Sequence, residues 1–192
     1  MKILSAEFMI SAAGPRQFPS DGRPQIAFAG RSNVGKSSII NALLNRRGLV
    51  KTSATPGKTQ LVNFFLINKE FYCADLPGYG YAKAPRDVVD TWAPLIERYL
   101  RDSREVRAVV VLLDIRREPD ERDGRLIEWL RHYDIPAIFA LTKSDKMKRQ
   151  EMLTAQREIA ARLGLGDALF LTSAKSGQGI SELRSEIAKR LR

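Results

Sequence analysis

A glycine-rich segment carries the most informative chemistry in this sequence: Gly30-Arg31-Ser32-Asn33-Val34-Gly35-Lys36-Ser37. It follows an apolar run at 25–29 and precedes residues 38–44, whose apolar side chains recur at helical spacing. A strand, a glycine loop and a helix in this order form the context of a phosphate-binding loop, where backbone N–H groups converge on a phosphate. In that pattern Lys36 reaches the outer phosphates and the Ser37 hydroxyl ligates Mg²⁺. A chance match is the alternative, and the flanking strand and helix make it less frequent.

Two later segments contain groups that would complete a magnesium and phosphate site. Asp75-Leu76-Pro77-Gly78 ends a predicted strand, so the Asp75 carboxylate can hold the Mg²⁺ sphere. The Gly78 amide can approach a γ-phosphate closely because glycine has no side chain. Thr59, in the polar stretch 48–60, is the predicted second hydroxyl on Mg²⁺, and Thr55 in the same stretch is the alternative.

Two segments near the C-terminal half predict recognition of a base. In Thr142-Lys143-Ser144-Asp145 the Asp145 carboxylate can accept from both N1–H and the exocyclic amine of guanine, and Lys143 can lay its stem over the base. Adenine would leave that carboxylate desolvated and unpaired. A helix cap formed by Ser144 or Asp145 is the alternative interpretation. The second segment, Thr172-Ser173-Ala174-Lys175, follows the last predicted strand, and its Ala174 N–H can donate to guanine O6.

The elements that must position these groups alternate between strand and helix. Residues 61–67 and 71–74 predict an antiparallel pair, and the unbroken apolar run 108–113 predicts a central parallel strand. Later helices and strands alternate to the end of the chain. We therefore predict an α/β fold with a mostly parallel six-stranded sheet, one antiparallel strand and helices on both faces. Residues 1–23 contain turn signals and predict an arm on the outside of a domain that spans 24–192.

Composition narrows the class of protein. The 192 residues are 44% hydrophobic and 28% charged, which is ordinary for a globular domain and argues against wholesale disorder. No apolar run approaches a membrane span, and charged residues interrupt 1–25 where a signal peptide needs an apolar core, so we expect a cytoplasmic protein. The single cysteine, Cys73, lies in a predicted strand and is expected to be a buried, inert thiol.

The net charge of +10 predicts a polyanionic partner, because phosphate contacts release condensed counterions. Basic residues are spread along the chain rather than run together. The alternative is that the charge only keeps the surface soluble.

All five segments together resemble the translation-factor-related GTPases. Three of them resemble the EngB family of bacterial ribosome-assembly GTPases more narrowly: the loop at 30–37, Thr55-Pro56-Gly57-Lys58-Thr59-Gln60 and Asp75-Leu76-Pro77-Gly78-Tyr79-Gly80-Tyr81. The resemblance extends from Pro24 onward. It implies a three-layer P-loop GTPase fold, a GTP-binding (G) domain at 24–192, GTP hydrolysis with Mg²⁺, association with the large ribosomal subunit precursor and its rRNA, and a requirement for normal cell division and septation.

The resemblance also implies roles for particular residues. Those expected to contact the nucleotide are Gly30, Arg31, Ser32, Asn33, Val34, Gly35, Lys36, Ser37, Gly57, Lys58, Thr59, Gln60, Leu61, Asp75, Leu76, Pro77, Gly78, Thr142, Lys143, Ser144, Asp145, Thr172, Ser173 and Ala174. The expected metal ligands are Ser37, Thr59 and Asp75, and the expected catalytic residues are Lys36, Gly78 and Thr59.

Hydrolysis is expected to be slow. Tyr79 stands where Ras-like enzymes carry a glutamine that orients the attacking water, so we expect an intrinsic rate below roughly one per minute. Asn33 resembles the loop asparagine of potassium-stimulated relatives, and it either helps to bind K⁺ or only stabilises the loop. Arg31 either contacts phosphate or points outward.

Three classes of function stay open at this point. The first is a monomeric, GTP-dependent switch on ribosomal RNA. The second is a GTP-gated scaffold at the division site without direct rRNA binding. The third is a housekeeping NTPase without a macromolecular partner.

Overall fold

Seven strands form one mixed sheet in the part of the chain that the structure describes. This computed structural model describes residues 1–50, 61–79, 86–166 and 169–192, with the backbone alone at 86–93. The strands are β1 (Ala6–Ala12), β2 (Gln25–Gly30), β3 (Val62–Ile67), β4 (Phe71–Asp75), β5 (Val106–Asp114), β6 (Ala137–Thr142) and β7 (Leu169–Leu171). Their order across the sheet is β1-β3-β4-β2-β5-β6-β7.

Among the described residues, five α-helices cover both faces of the sheet: α1 (Lys36–Leu43), α2 (Arg86–Asp102), α3 (Glu121–His132), α4 (Arg149–Leu163) and α5 (Ile180–Arg190). Side chains of α1 and α5 pack with the even-numbered residues of β5, such as Val110. Side chains of α2 and α3 pack with odd-numbered residues such as Val109, and those of α4 pack beside them. The apolar run of β5 is continuous because both faces of this strand are covered.

The predicted fold class is confirmed, and the number of strands is corrected from six to seven. Within the described residues β3 alone runs opposite to the other strands, because it pairs antiparallel with both β4 and β1. The additional strand is β1, which comes from the predicted arm and forms the sheet edge. Most of its side chains are exposed or half-buried, so its sequence lacks the apolar alternation of a strand with one buried face. The division of the chain at residue 24 stays a prediction.

Parallel pairing brings the loops that follow β2, β4, β5 and β6 to one edge of the sheet. Ligands of open α/β sheets bind at the carboxyl ends of the strands, so this edge is where a site is expected. In the described part of the chain, no helix combines the length and apolar character that crossing a membrane requires.

Candidate nucleotide-binding site

The loop between β2 and α1 has the backbone geometry of a phosphate cradle. Gly35 precedes α1 with φ 101° and ψ 19°, a left-handed conformation that glycine adopts without strain. Asn33 also has a positive φ, 65°, and the Val34 N–H donates to Arg31 O at 3.1 Å. Because α1 begins at Lys36, the N–H groups of its first turn lie next to this loop without partners inside the helix. Such a cluster of N–H groups at a helix start is suited to an anion.

Parallel pairing of β2 with β4 brings Asp75 to the same loop. Phe28 pairs with Asp75, and Lys36 Nζ donates to Asp75 Oδ1. Both side chains are largely buried. The ion pair shows that the predicted phosphate-binding lysine and the predicted metal-binding carboxylate reach the same small volume.

Gly78 lies directly against the backbone of the phosphate loop. A Cβ at position 78 would come 3.2 Å from Ser32 Cα and 3.2 Å from Ser32 N, which is closer than most Cβ contacts. The Ser32 hydroxyl also donates to Gly78 O at 3.3 Å. Gly78 therefore lies close to the phosphate loop, where a side chain would be crowded, and its contact with a γ-phosphate stays a prediction.

Tyr79 is fixed by the loop on one side and by α3 on the other. The Ser32 N–H donates to Tyr79 O at 2.9 Å, and the Tyr79 hydroxyl donates to Asp123 Oδ1 at 2.8 Å. Burial, together with the nearby Asp123 carboxylate, raises the pKa of Tyr79, so its hydroxyl stays protonated and acts as a donor. Arg31 Nη1 lies 3.0 Å from Asp120 Oδ2, so the Arg31 guanidinium is paired with the start of α3.

The two predicted base-recognition segments are joined to each other and to the phosphate loop. The Thr142 hydroxyl donates to Val34 O at 2.7 Å, and the Ser144 N–H donates to Thr172 O at 3.1 Å. The Ser173 hydroxyl donates to Asp145 Oδ1 at 2.6 Å. That hydrogen bond lowers the pKa of Asp145, so its carboxylate is charged at neutral pH and can accept from a base.

The alternative of a helix cap at Ser144 or Asp145 does not hold for α4. The N-cap of α4 is Lys148, and the two residues lie in a short 3₁₀ turn, Ser144–Lys146. Asp145 is therefore free of that structural task.

Lys143 and Asp114 form a link that the sequence analysis missed. Lys143 Nζ donates to Asn33 O at 2.7 Å and to Asp114 Oδ2 at 2.9 Å. Arg116 also donates to the buried Asp114 carboxylate, through Nε at 2.9 Å and through Nη2 at 2.8 Å. The sequence did contain a sign of this link, since the charged residue Asp114 directly follows the apolar run of β5. A carboxylate at a buried strand end needs hydrogen-bond or charged partners. The hydrogen bond from Lys143 to Asn33 O stabilises the loop. The role of Asn33 in binding K⁺ stays a prediction.

The oxygen donors at this edge fit a magnesium ion. Ser37 lies in the first turn of α1, and the Asp75 side chain is 9% exposed at the end of β4. A hydroxyl and a carboxylate are ligands that Mg²⁺ accepts while it keeps several waters. These two residues would hold the ion.

Some predicted contacts lie outside the described residues. They are Thr55, the alternative for the second metal-binding hydroxyl, and Gly57, Lys58, Thr59 and Gln60. Leu61 directly precedes β3, whose Asn63 pairs with Asp75, so the start of β3 lies at the same edge of the sheet.

Comparisons with known proteins show the family to which the chain belongs. Residues 25–143 match the family described as 50S ribosome-binding GTPase. The chain is 50% identical over 190 residues to the probable GTP-binding protein EngB of Desulfosudis oleivorans, covering 98% of this chain and 96% of the relative. It is 53% identical over 163 residues to the probable GTP-binding protein EngB of Pelobacter propionicus, covering 85% and 82%.

Solved structures show the same architecture. The crystal structure of a probable GTP-binding protein engB superposes with a TM-score of 0.73 at 27% identity, covering 88% of this chain and 98% of that one. Aquifex aeolicus Era superposes with a TM-score of 0.68 at 22% identity, covering 88% of this chain and 56% of Era, and this likeness concerns the fold.

Proposed function

Because this chain belongs to the EngB family of GTP-binding proteins, we propose that it is a slow, Mg²⁺-dependent GTPase that acts as a nucleotide-dependent switch in large ribosomal subunit assembly. In this proposal the protein is monomeric and cytoplasmic, and it is needed for normal cell division and septation. One observation carries the GTP assignment: the charged Asp145 carboxylate, held by Ser173, lies on a segment that Thr142 bonds to the phosphate loop. In this proposal, the two hydrogen bonds would connect phosphate binding with guanine selection.

The residues of the site supply binding and charge stabilisation. Loop N–H groups and Lys36 would neutralise charge that develops on the transferring phosphate, and the Gly78 amide would contact the γ-phosphate. Mg²⁺, when bound, would supply further positive charge for the same stabilisation. Thr59 is the proposed second hydroxyl ligand. Slow turnover follows from Tyr79, whose hydroxyl is bonded to Asp123 where a water-orienting carboxamide is needed for fast hydrolysis.

Exchange of the base-selecting carboxylate tests the GTP assignment. Asp145→Asn replaces the oxygen that accepts from the exocyclic amine of guanine by an NH₂ group that can donate to the 2-oxo group of xanthine, while the amide oxygen still accepts from N1–H. We therefore expect affinity to shift from GDP to XDP by at least about tenfold, as measured by titration with fluorescent nucleotides.

Asp134→Asn is the matched control, because Asp134 is exposed and its positive φ of 51° suits asparagine. A retained preference for GDP in Asp145→Asn, with Asp134→Asn unchanged, would contradict the base-binding role.

The ribosomal part of the proposal is supported by the description of the matched family as 50S ribosome-binding and by the net charge of +10. Co-sedimentation with large-subunit particles in a nonhydrolysable GTP analogue, and its loss in GDP, is the expected result. Binding to division-site proteins without particle binding would favour the scaffold instead, and no macromolecular binding would favour a housekeeping NTPase.

A further inference from the structure

The segment that follows the Asp75–Gly78 motif is anchored to α3 by a buried polar contact. Asp123 is 2% exposed, and its carboxylate has two hydrogen bonds at ordinary distances. Oδ1 accepts from the Tyr79 hydroxyl at 2.8 Å, and Oδ2 accepts from the Asp120 N–H at 3.0 Å. Arg31 Nη1 lies 3.9 Å from the same carboxylate.

The anchor is built on a rigid part of the molecule. Asp120 and Asp123 form a capping box that starts α3, so Asp123 is bonded within its own helix turn as well as to Tyr79. α3 packs on the sheet through Ile127 and Leu130. A side chain that is held on both sides in this way can fix the position of a loop residue.

The backbone of Tyr79 is hydrogen-bonded to the phosphate loop. The Tyr79 N–H donates to Gly30 O at 3.3 Å, and Tyr79 O accepts from the Ser32 N–H at 2.9 Å. The first bond involves the N–H of the peptide that joins Gly78 to Tyr79, and the second involves the carbonyl of the next peptide. Gly78 directly precedes the residue that these backbone bonds and the Asp123 contact hold on both sides.

We propose that Asp123 is a positioning residue for the nucleotide site: through the Tyr79 hydroxyl it fixes the Gly78 amide and so sets the preference for a nucleoside triphosphate over a diphosphate. This inference rests on the proposed function, in which Gly78 contacts the γ-phosphate. Asp123 does not touch the nucleotide itself. Its effect is confined to the one phosphate that distinguishes GTP from GDP.

Removal of one hydroxyl tests the inference. Tyr79→Phe keeps the ring and deletes the bond to Asp123, so the affinity for a nonhydrolysable GTP analogue is expected to fall about threefold to tenfold. The affinity for GDP should stay within about twofold, because GDP lacks the γ-phosphate. Both are measured by titration with fluorescent nucleotides. A merely structural role would weaken both nucleotides equally.

Tyr99→Phe is the matched control. Tyr99 is fully buried, and its hydroxyl donates to Gln25 Oε1 at 2.7 Å, so the substitution removes a comparable buried bond on α2. It should lower stability without changing the ratio of the two affinities.

A double-mutant cycle shows whether Asp123 acts through Tyr79. Asp123→Ala alone should lower the ratio of GTP-analogue affinity to GDP affinity, and it should have no further effect on that ratio in the Tyr79→Phe background. Additive effects, or an unchanged ratio in both single variants, would overturn the inference. A wild-type protein that binds neither nucleotide would contradict the proposed function itself. A wild-type protein that binds both nucleotides, with an unchanged affinity ratio in Tyr79→Phe, would contradict only the role of Asp123.

Discussion

At the scale of single residues, Asp114 connects two loops that the sequence places far apart. Its buried carboxylate accepts from Lys143, whose Nζ also bonds Asn33 O in the phosphate loop. Burial by itself raises the pKa of Asp114, but hydrogen bonds from Arg116 and Lys143 outweigh this effect and lower the pKa to about 2. The charged form is therefore the one that stabilises the fold.

The lowered pKa of Asp114 predicts how stability depends on pH. A carboxyl group whose pKa falls from 3.8 in the unfolded chain to about 2 in the folded one contributes stability that is complete above about pH 5. The contribution is lost as the pH falls through about 2. Asp114→Asn should lower the free energy of unfolding by about 2 kcal/mol at neutral pH, and the difference from wild type should shrink below about pH 4.

Denaturant titrations across this pH range measure the difference. Asp102→Asn is the control, since Asp102 is exposed and pairs only with its neighbour Arg101 in the described contacts. A difference between Asp114→Asn and wild type that persists undiminished at about pH 2 would contradict the assignment.

At the scale of elements, the edge strand β1 is held by the turn between β3 and β4. Asn68 in that turn has a φ of 52°, and its side-chain oxygen accepts from the Leu4 N–H at 2.7 Å and from the Ser5 N–H at 3.2 Å. Its side-chain nitrogen donates to Lys2 O at 2.8 Å. One asparagine therefore fixes the residues that lead into β1.

Asn68→Gly isolates these side-chain bonds, because glycine keeps the positive φ without strain. We expect amide hydrogen exchange at residues 4–8 to become faster, while the free energy of unfolding falls by about 1 kcal/mol. Asn45→Gly, at an exposed asparagine with φ 51°, is the control for the backbone change. Unchanged exchange at the start of the chain would show that β1 is held by its pairing with β3 alone.

At the scale of the whole molecule, the net charge of +10 predicts that the proposed binding to ribosomal RNA is largely electrostatic. Each phosphate that a lysine or arginine neutralises releases condensed counterions, so affinity falls as a power of the salt concentration. The exponent reports how many phosphates are contacted.

The proposed ribosome binding should therefore depend steeply on salt. If four phosphates are contacted, raising the salt concentration threefold should weaken binding to large-subunit particles by about 20-fold to 50-fold. Co-sedimentation in the GTP-analogue state across a salt series measures this dependence. A flat response would indicate that the charge serves solubility, as in the scaffold and housekeeping alternatives.

Sequence patterns predicted the parts of the site that short segments define. A phosphate loop needs only a glycine-rich turn between a strand and a helix, and the structure has that turn, with φ 101° at Gly35. Asp75 and Asp145 were predicted as site residues because one ends a strand and the other closely follows one, and the structure places both strand ends at the same sheet edge. Their backbone context is local, so it can be read from neighbouring residues.

The chain alone determined the family, the alternation of strands and helices and the polar residues at the strand ends. Only the tertiary structure decided which side chains meet. The bond from Tyr79 to Asp123 joins residues 44 positions apart, and the bond from Lys143 to Asn33 O joins residues 110 apart. The tertiary structure also decided that residues 6–12 join the sheet as β1. This exposed edge strand is specified by its partner β3 and by Asn68 rather than by its own apolar pattern. Contacts of this kind depend on packing between distant parts of the chain, so they cannot be predicted from the pattern of neighbouring residues.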